Sequence, residues 1–235
     1  ANLIDPVAIT ALRFVLASVA VGVFSCVAGP GLPRRAFAAP WRYLVLGGLY
    51  AIYFVLMFEG LKTALPVPAA AVFALTPLMA AGFGWLVLRQ ITSPHMALAL
   101  AMGGAGSLWV IFRGDMAALA RMEFGRGEAI YLAGCAAHAL YTPVVRRLNR
   151  GESPVVSTFA TLVAGTAILL FWGWGAIRAT DWVNMPPIVW FTLVYVAIFA
   201  TSATVVLVQF AVLRLPAAKV MAYTYLTPVW VIALE

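Results

Sequence analysis

The chain has 235 residues, of which 64% are hydrophobic and 10% charged, and its mean hydropathy is +1.00. A water-soluble globule keeps its apolar share nearer half, so this composition excludes one and indicates a polytopic membrane protein. The net charge of +7 does not indicate nucleic-acid binding, because the basic residues sit in short links between apolar runs, where they set membrane orientation.

A helix needs roughly 20 apolar residues to cross a bilayer. On that rule eight spans are expected, at 6–28, 41–61, 66–88, 95–112, 128–146, 154–176, 187–213 and 217–235. The first lacks the basic leader of a signal peptide, and Arg13 interrupts its apolar run. The links carry Pro, Gly and Arg, and only the one from Arg113 to Gly127 exceeds a dozen residues. Alternate links divide the cations unequally. Arg34, Arg35, Arg42, Arg89, Arg146, Arg147, Arg150, Arg214 and Lys219 fall on one side, and Lys62, Arg113, Arg121, Arg126 and Arg178 on the other. The richer set is assigned to the cytoplasm, which places residue 1 outside. Cys26 and Cys135 have neither metal-ligand nor disulfide spacing and read as small packing residues. No cofactor and no metal is expected.

The third and eighth spans share a phrase: Leu75-Thr76-Pro77 recurs 151 positions on as Leu226-Thr227-Pro228, preceded in each copy by Leu65-Pro66 or Leu215-Pro216. Likewise Pro6-Val7, Thr10 and Val15 of the first span recur as Pro154-Val155, Thr158 and Val163 of the sixth. The second span matches the seventh. Each copy lies five spans later, an odd separation that inverts the second copy in the membrane, as in the inverted repeats of many secondary transporters. The fourth and fifth spans are left without partners. The expectation is therefore a ten-span parent cut at both ends, with a first repeat over 1–117 lacking its first helix and a second over 118–235 lacking its last. The expected fold class is all-α, a polytopic transmembrane helix bundle on an inverted repeat of five helices, with eight of ten spans present.

Polar groups within such spans are candidates for a solute path. In each Leu-Thr-Pro the proline frees a mid-membrane carbonyl and marks a kink, tolerated where protein or a water-lined cavity re-satisfies it. Thr76-Pro77 and Thr227-Pro228 are read as a hinge or cavity wall, the plainer alternative being a packing kink with Thr bonded to its own helix. His138 shares a helical face with Tyr131 and Tyr141; it is a cavity-lining or proton-carrying group, or else a neutral imidazole bonded to a neighbouring helix. Tyr50, Tyr53 and Met57, and Tyr195, Ser202 and Gln209 at seven-residue intervals, form polar stripes expected to face inward as cavity walls or interhelical glue. Phe73 and Tyr223 are aligned within a residue in the two kinked helices and are candidates for a gate. Glu59, three residues before Lys62, reads first as half of an ion pair and second as a proton-coupling site. Glu235 is a candidate functional carboxylate. Arg13 reads as a structural residue bonding backbone carbonyls, in preference to an anion site. Trp41, Trp172, Trp174, Trp182 and Trp190 read as interfacial anchors, and the link with Arg121, Glu123, Arg126 and Glu128 as a solvated connector.

Five features together resemble the EamA-type branch of the drug/metabolite transporter superfamily, over essentially the whole chain. They are Pro6 followed by Arg13-Phe14; Ala69 to Pro77 followed by Trp85 and Leu88; Gly103 to Gly106; Gly127 with Tyr141; and Ala217 to Pro228. The resemblance implies ten spans in two inverted five-helix repeats, and a proton-driven secondary transporter exporting from the cytoplasm. One departure is Arg89-Gln90, where the family often has a Glu after a Gly. The function expected is export of small amphipathic metabolites, amino acids or drug-like compounds by alternating access, in the inner (cytoplasmic) membrane of a bacterium. Its partners are then the solute, the lipid bilayer and protons, with no nucleic acid; the oligomeric state is not legible. The alternatives are a non-transporting membrane scaffold and an intramembrane enzyme. Against the latter, the chain has only His95 and His138 and contains no HExxH, GxSxG or Walker A sequence.

Overall fold

The structure, a computed structural model, describes residues 5–115, 117, 120, 121 and 124–226. Among them every regular element is helical: α1 (Pro6–Val27), α2 (Trp41–Gly60), α3 (Pro66–Phe73), α4 (Thr76–Leu88), α5 (Pro94–Ile111), α6 (Arg126–Leu148), α7 (Pro154–Trp172), a short α8 (Trp174–Ala179), α9 (Pro187–Tyr195), α10 (Thr204–Val212) and α11 (Ala217–Ala222). Proline explains many of the starts. It lacks the N–H that a helix leaves unpaired in its first turn, and its φ is already helical. Where Asp5, Ser93 and Ser153 precede such a proline, their side chains accept from the N–H of Val7, Met96 and Val156 and complete the cap.

Among the described residues six helices are long and apolar enough to cross a membrane, Pro6–Val27, Trp41–Gly60, Pro66–Leu88, Pro94–Ile111, Pro154–Trp172 and Pro187–Val212. The expected fifth span is present as α6, 23 residues long, with Arg126, Glu128, Arg146 and Arg147 at its ends; it is not one of those six. The expected eighth is described as far as Leu226.

The third span breaks where its Leu-Thr-Pro was expected to kink, while the seventh is not the continuous α-helix expected. Pro77 has no N–H to give, and the third span stops at Phe73, turns through Ala74 and Leu75, and restarts at Thr76. The chain of α11 correspondingly tightens into a 3₁₀ turn at Tyr223–Leu226, just before Thr227 and Pro228; these two and Glu235 lie outside the described residues. In the seventh span, Val196–Ala203 between α9 and α10 is a π-helical segment. There the hydroxyls of Thr201, Ser202 and Thr204 donate to carbonyls five residues back, on Val196, Ala197 and Phe199, at 3.2, 2.8 and 3.2 Å. The wider turn means that seven residues no longer complete two turns. The expected stripe is broken accordingly: Ser202 and Gln209 are buried while Tyr195 is 55% exposed.

The helices gather into two compact units, residues up to Val55 with Leu148–Leu213, and Leu56–Arg147 with residues from Arg214 on. Each unit combines spans from both halves of the sequence. In the first, α1 packs on α7 and on the π segment, with Phe14 fully buried. Here α2 touches α7 backbone to backbone: a Cβ on Gly47 would stand 2.4 Å from the Gly165 nitrogen, so only glycine allows the contact. The second unit has the same device between the end of α2 and the start of α6, where a Cβ on Gly60 would stand 2.8 Å from the Gly127 carbonyl oxygen. Its α5 carries Gly103 and Gly104 because the Tyr225 ring lies against them, 2.5 Å from where a Cβ on Gly103 would be.

Contacts at the unit ends match the assignment of links to membrane sides. Arg42 reaches Leu148 and Glu152, Gln90 reaches Ala217, and Arg146 reaches Leu215; all join links assigned to the cytoplasm. Glu128 accepts from the Leu65 N–H, joining two links assigned to the outside.

Candidate functional site

The candidate residues fall into two groups, one in each unit. In the first unit, α1 carries Arg13 into the interior, where it is 7% exposed. Its Nε donates to the Thr201 hydroxyl, which in turn donates to the Val196 carbonyl. The partner is therefore a hydroxyl of the π segment, not the backbone carbonyl expected from the sequence. The guanidinium carbon sits 4.3 Å from the centroid of the Phe54 ring, within range of a cation–π attraction. Tyr50, Tyr53 and Phe54 form one aromatic cluster on α2, with centroids 5.0 Å apart for Tyr50–Phe54 and 4.9 Å for Tyr53–Phe54. Phe14 stacks on Tyr50 at 5.8 Å. Ser202, next to Thr201, bonds the Ala17 carbonyl at 3.3 Å and so ties the π segment to α1 a second time.

In the second unit, Thr76 is fully buried at the restart of the broken span, beside the Cys135 thiol, which also faces the Tyr131 phenol. Cys135 and Tyr131 pack with Ala69 and Val72 of α3, and the partly buried Phe73 lies against them. One turn further along α6 come the half-buried His138 and then Tyr141, which is fully buried. Next comes a Thr-Pro pair that the sequence reading passed over, Thr142-Pro143, inside the helix. Pro143 deprives the Ala139 carbonyl of its usual partner, and the Thr142 hydroxyl supplies one at 2.9 Å. The signal was available, since the pair repeats Thr76-Pro77. Tyr223, by contrast, is 62% exposed; it lines a groove of about 510 Å³ together with His95, Met96, Lys219 and Leu226.

Charged groups at the unit ends are more committed than the sequence suggested. Glu59 pairs with Lys62 at 2.7 Å, as the spacing predicted. Glu128 is not solvated: it is 4% exposed, and its carboxylate accepts from the N–H of Leu65 and of Gly125 at 3.0 and 3.1 Å. It thereby serves the unpaired N-terminal donors of α3 and α6 together. Gln90, at the position that departs from the family pattern, accepts from the Ala217 N–H at the start of α11. Arg42 donates to Glu152, Leu148 and Ala36 at 2.8, 2.8 and 3.4 Å. Burial alone raises the Glu152 carboxyl, but hydrogen bonds from the Arg42 side chain and the Arg150 N–H outweigh it and hold the group below the ordinary carboxylate range. Trp182 and Trp190, expected as anchors, line an apolar cleft of about 320 Å³ with Ala8, Ala11 and Leu12. Among the described residues no three His, Cys, Asp or Glu side chains gather where they could hold a metal.

A family model described as the EamA-like transporter family matches two stretches of the chain, 1–112 and 125–235. A protein of Bacillus subtilis (strain 168) described as an uncharacterized transporter, YyaM, is 26% identical over 189 residues. That alignment takes in 80% of this chain and 62% of the relative, so the chain spans less than two thirds of the relative's length. A solved crystal structure superposes with a TM-score of 0.75 at 23% identity, covering 99% of this chain and 78% of its own. At that identity the likeness speaks for the fold alone.

Proposed function

The chain belongs to the EamA-like transporter family, and on that premise we propose that it is a secondary transporter exporting small amphipathic metabolites, amino acids or drug-like compounds across a bacterial inner membrane by alternating access. The family and the relative's name point to a membrane transporter rather than an enzyme. The division into inverted repeats at 1–117 and 118–235 is part of the proposal. It is supported by the two matched stretches, which fall one on each side of residue 118.

The observation that carries the reading is the pair of helix interruptions. One span breaks at Ala74–Leu75 ahead of Thr76-Pro77, and the other leaves α-helical geometry at Tyr223–Leu226 ahead of Thr227-Pro228. Broken helices near the midplane are where secondary transporters place solute and coupling-ion sites, and a scaffold has no need of two. The wall of the proposed path comprises Tyr50, Tyr53, Thr76, Pro77, His138, Tyr141, Tyr195, Ser202, Tyr223, Thr227 and Pro228. Its polar-aromatic character, with little fixed charge, suits amphipathic solutes better than sugar phosphates. Protons are the proposed coupling ion, with His138, Glu59 and Glu235 as carriers. Thr76→Val and Thr227→Val test the reading: each should lower solute flux at least about tenfold, equivalent to the loss of one charge-assisted hydrogen bond, at unchanged expression. Flux equal to the wild type in both variants would favour a scaffold.

A further inference from the structure

We infer that Arg13 binds the anionic end of a mono-carboxylate solute, and that in this structure it is closed onto Thr201. The inference rests on the transporter reading and adds the charge and shape of the solute. Seven residues into α1, at 1.5 Å rise per residue, Arg13 lies roughly 10 Å inside the outer end of its span. Two buried arginines of the same unit make the case by contrast. Arg42 is 2% exposed, and its guanidinium is served by one carboxylate and two carbonyls. Arg13 is nearly as buried, yet among the described residues its only hydrogen bond runs from Nε to the Thr201 hydroxyl, and no carboxylate pairs with it. An arginine has five N–H donors, and the bond from Nε to Thr201 uses one of them. A cation carried into a membrane span needs a counter-charge. The described ion pairs, Arg42–Glu152, Lys62–Glu59 and Arg121–Asp115, supply none to Arg13. Among the described residues nothing supplies that counter-charge, and the carboxylate of a solute would.

The surroundings say which anion. The guanidinium fork matches a carboxylate with two parallel N–H···O bonds. One unpaired cation balances one negative charge, which disfavours dianions. The aromatic cluster of Tyr50, Tyr53 and Phe54 beside it offers contact for an apolar or aromatic body. Thr201 is a replaceable occupant, because a neutral hydroxyl gives Arg13 one hydrogen bond where a carboxylate would give two charge-assisted ones. Its place in a π segment agrees, since such segments are frequent at functional sites.

The test titrates the full-length protein in detergent micelles with phenylacetate and hexanoate as anionic probes and phenethylamine as the cationic control, reading intrinsic fluorescence and thermal stability. Solute counterflow into proteoliposomes is measured in parallel. Wild type should bind phenylacetate saturably and about tenfold or more tighter than phenethylamine, the difference a charge-assisted bond makes. Arg13→Gln should abolish that preference, and Arg13→Lys should keep it with weaker binding. Thr201→Val removes the competing acceptor and should tighten phenylacetate binding several-fold. It also decides the matter if Arg13→Gln fails to give monodisperse protein. Absence of saturable phenylacetate binding, a preference that survives in Arg13→Gln, or unchanged affinity in Thr201→Val would overturn the inference. Arg13-dependent binding with no counterflow of any solute would leave the site standing and sink the transporter reading. Saturable counterflow of phenethylamine with no dependence on Arg13 would do the reverse.

Discussion

The first unit carries a cation into its interior at Arg13, whereas the second, among its described residues, keeps its charged side chains near its ends and lines its interior with the hydroxyl of Thr76, the thiol of Cys135 and the imidazole of His138. Both units use the same means of close packing, a glycine backbone contact at Gly47–Gly165 in one and at Gly60–Gly127 in the other. The contrast therefore lies in charge placement and not in packing. Near a span end a charged group finds backbone donors and acceptors left over by helix termini, as Arg42 and Glu128 do. Within a span those groups are already used by the helix, and a charge must find a partner of another kind.

The largest effect expected on this comparison is at Arg42. Arg42→Ala strands a nearly buried Glu152 and two carbonyls, and should destabilise by about 3 kcal/mol or more in denaturant unfolding. The pair also sets a pH dependence. A carboxyl whose folded value is depressed contributes stability above its unfolded value and loses it as pH falls through the folded one. Acid destabilisation from this group should therefore begin as pH falls below the ordinary value of 4.5, and Glu152→Gln should lack that component. Next comes Gly47→Val, which drives a side chain into the α7 backbone and should cost about 3 kcal/mol. Gly127→Val should cost as much in the second unit, and a tolerated substitution at either would break the claim of equal packing. Glu128→Ala frees the Leu65 and Gly125 donors and should cost about 2 kcal/mol. The smallest effect is expected for Lys62→Ala, under about 1 kcal/mol, because the Lys62–Glu59 pair is half exposed. A value as large as that of Arg42→Ala would erase the distinction between exposed and buried charge.

Much of this architecture was legible. Apolar length marked the spans, and Pro6, Pro66, Pro154 and Pro187 marked helix starts, because a proline's effect on its own backbone is local. Thr76-Pro77 gave the break for the same reason. The Lys62–Glu59 pair was legible because both residues lie on one helical turn and its exit. What escaped depends on partners far along the chain. Glu128 read as solvated because its neighbours in sequence are charged, while the donor that buries it, the Leu65 N–H, is 63 residues away. Arg42 and Glu152 are 110 apart. The π segment carries no proline or glycine within Val196–Ala203, and its hydroxyls look like any polar stripe until the wider turn separates Tyr195 from Ser202. The acceptor of Arg13 was hidden with it, 188 residues away.

Solute efflux tests the central claim most directly. The full-length protein is reconstituted in proteoliposomes loaded with labelled amino acids and small amphipathic carboxylates, and efflux is followed with and without an imposed pH gradient. Saturable efflux of at least one solute, at a rate the gradient changes, is the predicted result. Protein that unfolds cooperatively, and so is folded, yet moves none of the panel above the rate of empty vesicles would contradict it.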